Sequence, residues 1–175
     1  PEAVSGVVVW LTGIPSSGKS TLAERVAAAL RAESVPACVL DGDAVRAAVV
    51  PPFGYDEVGR DHFYASLSAL AVLLARQGLA VIVPATAHRR AYRARCRSAA
   101  PRFVEVFVRV DEAVARERDA KGLYAAQREG AIAHMPGADA GYEPPERPDV
   151  VAAGGHDAGA VAAVLRLVAA PRVGV

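Results

Sequence analysis

The chain has 175 residues, of which 53% are hydrophobic and 22% charged, and its formal net charge is +1. That length suits one domain with a single buried core, and the composition excludes a disordered chain. The near-neutral balance supplies no global field to recruit nucleic acid or an acidic membrane, and no apolar stretch is long enough for a helical span.

Residues 7–11 (Val-Val-Val-Trp-Leu) are a short continuous apolar run, read as a buried strand. Gly13-Ile14-Pro15-Ser16-Ser17-Gly18-Lys19-Ser20 follows, with the spacing G-x-x-x-x-G-K-S. The glycines let the backbone curl so that successive N–H groups face phosphate oxygens. Lys19 reaches the β- and γ-phosphates, and the Ser20 hydroxyl is placed to ligate Mg²⁺. A helix over residues 21–31, with Leu22, Val26 and Leu30 four apart, adds its positive dipole end to the same anion. Strand, loop and helix in that order are the context that separates a phosphate loop from a chance glycine turn.

Residues 37–40 read as a second strand, and Asp41-Gly42-Asp43 as the loop after it, with Arg46 three residues on. Two carboxylates beside a phosphate site suit base work on an acceptor hydroxyl, or support of hydrated Mg²⁺. The same residue types also suit a helix cap and a turn. Pro51-Pro52-Phe53-Gly54 breaks the chain before a helix over residues 57–76. A strand at 79–83, a helix at 89–98, a strand at 103–110 and a helix at 111–118 capped by Asp111 come next. A strand near 150–151 and a helix over 157–170 complete the series. This alternation predicts an α/β fold, a parallel sheet flanked by helices on both faces.

Arg89, Arg90, Arg93, Arg95, Arg97 and Arg102 wrap most of one helix without an aromatic ladder, and are read as a solvated face rather than a nucleic-acid patch. Residues 121–148 hold several Gly and Pro with little periodicity and read as a lid. Arg116, Arg118 and Lys121 stand at its mouth. They suit either cations over a transferring phosphoryl group or neutralisation of a helix C-terminus. Cys38 and Cys96 read as core residues, Trp10 and Tyr92 as packing residues, and the histidines (His62, His88, His134, His156) have no zinc-type spacing.

Several blocks occur together in order over residues 7–152. They are T-G-I-P-S-S-G-K-S-T-L-A at 12–23, Asp41-Gly42-Asp43 with Val45-Arg46, and Gly54-Tyr55 with Arg60. Phe103-Val104-Glu105-Val106, Arg118-Asp119-Ala120-Lys121-Gly122-Leu123-Tyr124, Gly137-Ala138-Asp139 and Tyr142-Glu143-Pro144-Pro145 follow. This series resembles the adenylylsulfate kinases, which move the γ-phosphate of ATP onto the 3′-hydroxyl of adenosine 5′-phosphosulfate. The resemblance implies a single P-loop kinase domain over residues 1–175 with a lid at about 119–148. It implies that Gly13, Ser16, Ser17, Gly18, Lys19, Ser20, Thr21 and Arg118 hold ATP, and that Ser20 holds its Mg²⁺. Lys19, Asp41 and Asp43 would serve the transfer. Asp43, Arg46, Tyr55, Arg60, Lys121, Gly122 and Leu123 would hold the acceptor. The expected partners are small molecules in a cytoplasmic sulfate-assimilation setting, with no nucleic acid and no membrane; a homodimer is left open.

The departures from the family pattern fall in the acceptor half. Its D-G-D-N has Ala44, and its D-R-x-E-N-x-R-R reads Gly59-Arg60-Asp61-His62-Phe63-Tyr64-Ala65-Ser66, with Phe63 for asparagine and Ala65 and Ser66 for the arginines. Its I-S-P-Y is replaced around Ala85-Thr86-Ala87-His88, and its F-T-G reads Met135-Pro136-Gly137. Two phenylalanines that sandwich the acceptor's adenine in the family correspond to Tyr55 and Met135. His88 or Arg89 is the expected replacement for a lost cation. Three readings compete with the family's own reaction. They are a kinase of another anionic alcohol, a nucleotide-binding module without chemistry, and a nucleic-acid kinase resting on the arginine helix.

Overall fold

A computed structural model describes residues 6–119, 122 and 141–170. Five parallel strands form one sheet: β1 (Val7–Thr12), β2 (Ala37–Val39), β3 (Ala80–Pro84), β4 (Phe103–Val108) and β5 (Val150–Ala152), in the order β2-β3-β1-β4-β5. β1 is central. Val8 is in register with Val81 on one side and Phe103 on the other. All six residues of β1 are buried because both faces of the sheet are covered, which is why the run reads as continuous rather than alternating apolar.

One face carries α1 (Lys19–Ala32) and the C-terminal α6 (Ala158–Ala169). Leu22, Ala23, Val26, Ala27 and Leu30 of α1 and Ala160, Val164 and Val168 of α6 meet Val7, Val9, Leu11 and Ile82 in an aliphatic core. The other face carries α3 (Glu57–Ala75) and α4 (Arg90–Ala99). There Phe63, Tyr64, Leu67 and Ala71 of α3 and Tyr92 and Cys96 of α4 close over Val8, Trp10, Val81 and Val83. Trp10 is fully buried and its indole N–H donates to the Ala85 carbonyl at 3.1 Å.

Two expectations need correction. Asp41-Gly42-Asp43 is not a loop, because Gly42–Ala48 is a helix (α2) with Asp41 as its N-cap. Seven residues with only Val45 as a large apolar side chain give too little periodicity to register in sequence. The arginine helix is not uniformly solvated either. Arg93 is 2% exposed, with its Nε donating to Glu105 Oε1 at 2.9 Å and Nη2 to the Glu143 carbonyl at 2.7 Å. Another nitrogen of the same guanidinium donates to the Ala87 carbonyl. α5 (Glu112–Glu117) has the expected Asp111 cap, whose carboxylate accepts from Ala113 N. Among the described residues no helix is long and apolar enough to cross a membrane.

Candidate active site

The carboxyl ends of the strands, where parallel sheets bind ligands, bring the predicted residues to one rim. The turn after β1 is residues 13–20. Gly18 caps α1 with φ +97°, and a Cβ there would lie 2.5 Å from Gly155 N. A Cβ on Gly13 would lie 2.5 Å from the Val108 carbonyl oxygen. Neither position has room for a side chain, so backbone lines the loop. Ser16 also takes positive φ, at 60°. The Lys19 ammonium folds back over this turn and donates to the carbonyls of Gly13 at 2.9 Å and Ile14 at 2.8 Å. Ser17 is fully buried, and its Oγ has no hydrogen-bond partner among the described residues. Thr21 packs against Gly155 in the turn after β5, and an Arg118 nitrogen lies 3.7 Å from a Cβ built on the neighbouring Gly154. Arg118 therefore stands over the same rim, whereas Arg116 is taken up by Glu112 one turn earlier at 2.6 Å.

Asp41 joins the phosphate loop to α2. Its Oδ1 accepts from the backbone N–H groups of Asp43 at 2.9 Å and Ala44 at 3.2 Å, while Oδ2 accepts from the Ser20 hydroxyl at 2.6 Å. The helix-cap reading of Asp41 is realised, and the capping bonds aim the carboxylate at Ser20. Asp43 follows in the first turn of α2.

α2 and α3 bring together the residues expected on the acceptor side. Arg46 donates to the carbonyls of Phe53 and Gly54, and its guanidinium lies over the rings of Phe63, at 4.1 Å, and Tyr55, at 4.6 Å. Arg60, one turn before Phe63, is 7% exposed. Ala87 N donates to the Tyr64 hydroxyl at 3.1 Å, and Tyr64 stacks on Tyr92 at 4.7 Å. His88 packs edge-on against both rings. Burial and the nearby Arg60 and Arg89 lower its pKa to about 4. His88 is therefore neutral near pH 7, which corrects the expectation that it replaces a lost cation. Arg89 is tied to Glu57 at 2.7 Å on the exposed rim.

Sequence reasoning missed the role of the strap around Tyr142. The Thr12 hydroxyl, one residue before the phosphate loop, donates to the Thr86 carbonyl at 2.6 Å. Its single proton is thereby used, so the Tyr142 hydroxyl 2.9 Å away is the donor to Thr12. Burial pushes the Tyr142 pKa up to about 12, which keeps that proton in place. Glu143 N donates to the His88 carbonyl at 2.8 Å, and Arg90 donates to the Glu143 carboxylate and the Pro144 carbonyl. The helical spacing of Tyr92, Arg93 and Cys96 was the signal available, since it puts Arg93 on the edge of the buried face. Lys121, Leu123 and Met135 and most of the expected lid lie outside the described residues; Gly122 is described, with φ +64°.

Known proteins resemble this chain in sequence and in fold. The family model for adenylylsulphate kinase matches residues 5–153. The adenylyl-sulfate kinase of Synechococcus sp. (strain JA-2-3B'a(2-13)) is 43% identical over 146 residues, 83% of this chain and 83% of the relative. That of Chloroflexus aurantiacus (strain ATCC 29364 / DSM 637 / Y-400-fl) is 42% identical over 150 residues, covering 86% of this chain and 81% of the relative. The structure of the Mycobacterium tuberculosis APS kinase CysC in complex with AMPPNP and APS superposes with a TM-score of 0.80 at 38% identity, over 84% of this chain and 87% of that one.

Proposed function

The chain belongs to the adenylylsulphate kinase family, and from that premise we propose that it transfers the γ-phosphoryl group of ATP to the 3′-hydroxyl of adenosine 5′-phosphosulfate, giving ADP and 3′-phosphoadenosine 5′-phosphosulfate. The observation that carries the reading is the Ser20–Asp41 contact of 2.6 Å, which holds two hard oxygen donors together beside the glycine turn. This donor set fits Mg²⁺, which prefers oxygen ligands and substrate phosphates. Held by Ser20 and Asp41, Mg²⁺ would neutralise charge on the β- and γ-phosphate oxygens.

The remaining roles are read from the same rim and from the family blocks in the sequence. Backbone N–H groups of residues 16–20 receive the triphosphate, and Lys19 exchanges two neutral carbonyls for anionic phosphate oxygens, a stronger set of bonds. Asp41 caps α2 and accepts from Ser20, and Asp43 stands in the first turn of the same helix, where we place the carboxylate that takes the acceptor's proton. Arg46 and Arg60, with Lys121, Gly122 and Leu123 from the lid, hold the acceptor's anionic end, and Tyr55 offers a ring to its base. Stacking of that kind is worth about 1–3 kcal/mol. Arg118 and Thr21 flank the nucleotide. The same reading makes the chain a single domain that acts in the cytoplasm on small molecules.

A coupled assay of the purified protein with Mg²⁺, ATP and adenosine 5′-phosphosulfate should give saturable ADP release. A second reading keeps the reaction and changes the alcohol. It is favoured by Phe63, which stands where the family has asparagine, while Arg46 and Arg60 persist. Turnover of another anionic alcohol with none of adenosine 5′-phosphosulfate would establish it.

A further inference from the structure

Phe63 can neither donate nor accept a hydrogen bond, so anything it brings to the acceptor side passes through its ring. Its position is tightly determined. α3 presents Arg60, Phe63, Tyr64 and Leu67 on its buried face, and Phe63 is 3% exposed. Phe53 packs edge-on against its ring at 5.8 Å and Tyr64 at 5.2 Å, at interplanar angles of 66° and 63°. The face that remains receives the Arg46 guanidinium, 4.1 Å from the ring centroid. Arg46 is further restrained by its bonds to the carbonyls of Phe53 and Gly54 and by the Tyr55 ring at 4.6 Å. These four partners come from a loop and from α3, while Arg46 itself comes from the short α2.

We propose that Phe63 is a positioning residue for acceptor binding, its ring face holding the Arg46 guanidinium in the conformation that receives the acceptor's anionic group. The proposal rests on the reading of Arg46 as an acceptor-side cation. An arginine that is free in solution loses rotamer freedom on binding a ligand, and one already seated on a ring does not. The ring also attracts the cation without neutralising it, so the charge stays available to an anion. A carboxylate at the Phe63 position would hold Arg46 as firmly but would compete with the substrate for it. An apolar ring holds the arginine in place and does not compete.

The test is a double-mutant cycle on the intact chain, with Phe63→Leu, Arg46→Met and both together, using ATP and adenosine 5′-phosphosulfate as probes. Phe63→Leu keeps an apolar side chain and removes the ring face. It is expected to raise the acceptor KM about three- to thirtyfold, the range of one cation–π contact, with kcat and the KM for ATP changed less than about twofold. In the Arg46→Met background the same leucine should leave the acceptor KM unchanged, because the group it positions is gone. Phe63→Tyr, which restores a ring, should recover the wild-type acceptor KM. Multiplicative effects in the double variant, or a loss spread equally over kcat and both KM values, would overturn the proposal in favour of general packing. A wild-type protein that turns over ATP with no acceptor of this class defeats the functional reading itself. A wild-type that works normally while Phe63→Leu keeps its acceptor KM defeats only the role of Phe63.

Discussion

The two faces of the sheet are built from different materials. Behind the phosphate loop, α1 and α6 close over β1 with valine, leucine, isoleucine and alanine alone. On the opposite face, α3 and α4 close over it with Trp10, Phe63, Tyr64 and Tyr92, and Arg60, Ser68, His88 and Arg93 are buried among or beside them. In the function proposed above, the phosphate-loop side binds largely through main-chain amides aimed by glycine conformations, with Lys19 and Ser20 added from the first turn of α1, so its helices need only form a rigid platform. The acceptor side is assembled from side chains, and each needs a neighbour to hold it. Conformation is therefore stored in the backbone on one face and in a polar–aromatic network on the other. Such networks are stabilising only when every member is satisfied.

That contrast can be broken or sharpened by measurement. Asp43→Ala should lower kcat by about 10²–10⁴-fold, the usual worth of a general base, while ATP affinity measured by titration calorimetry stays within a few-fold. A variant with wild-type kcat would remove Asp43 from the chemistry. Arg93→Met leaves Glu105 to the half-exposed Arg97 alone and strands the carbonyls of Ala87 and Glu143. Urea unfolding should show a loss of about 3–5 kcal/mol; a loss below 1 kcal/mol would mean that the network is not the organiser of that face.

His88 contributes a pH dependence of its own. Its folded-state pKa of about 4 lies below the ordinary 6.5, so the unfolded chain binds the extra proton first as pH falls. Stability from this group is complete above about pH 6.5 and is lost as pH falls through about 4, to a total of about 3 kcal/mol. Urea unfolding of the wild type against His88→Phe across that range should show the difference as a shallower acid limb in the variant. Parallel limbs would place the titration elsewhere. The smallest effect belongs to Arg97, which is 44% exposed and reaches Glu105 from the solvent side at 3.1 Å. Arg97→Ala should cost under about 1 kcal/mol, and a loss comparable with Arg93→Met would mean that burial does not separate the two arginines.

Legibility followed the same division. The strand at residues 7–11 and the phosphate loop could be read directly, because a glycine turn between an apolar run and a helix is a local instruction written at fixed spacing. α2 could not be read as a helix. It is seven residues long and exists because Asp41 caps it and Gly42 packs 3.1 Å from the Ala85 Cβ, measured from a built Cβ. Arg93 was counted with its solvated neighbours because sequence shows its charge but not Glu105, twelve residues away on another element. The ordinary pKa of histidine makes His88 a candidate cation on sequence alone. The burial and surrounding arginines that forbid it are supplied by α3 and α4.

The order of strands and helices, the anion-binding turn and the family blocks were determined by the sequence alone, since each depends on residues within a few positions of one another. Which charges are buried, which carboxylate is tied to Ser20, and which ring seats Arg46 were decided only by the tertiary structure. Those choices depend on partners brought from distant segments, and burial and proximity are not properties of any residue in isolation.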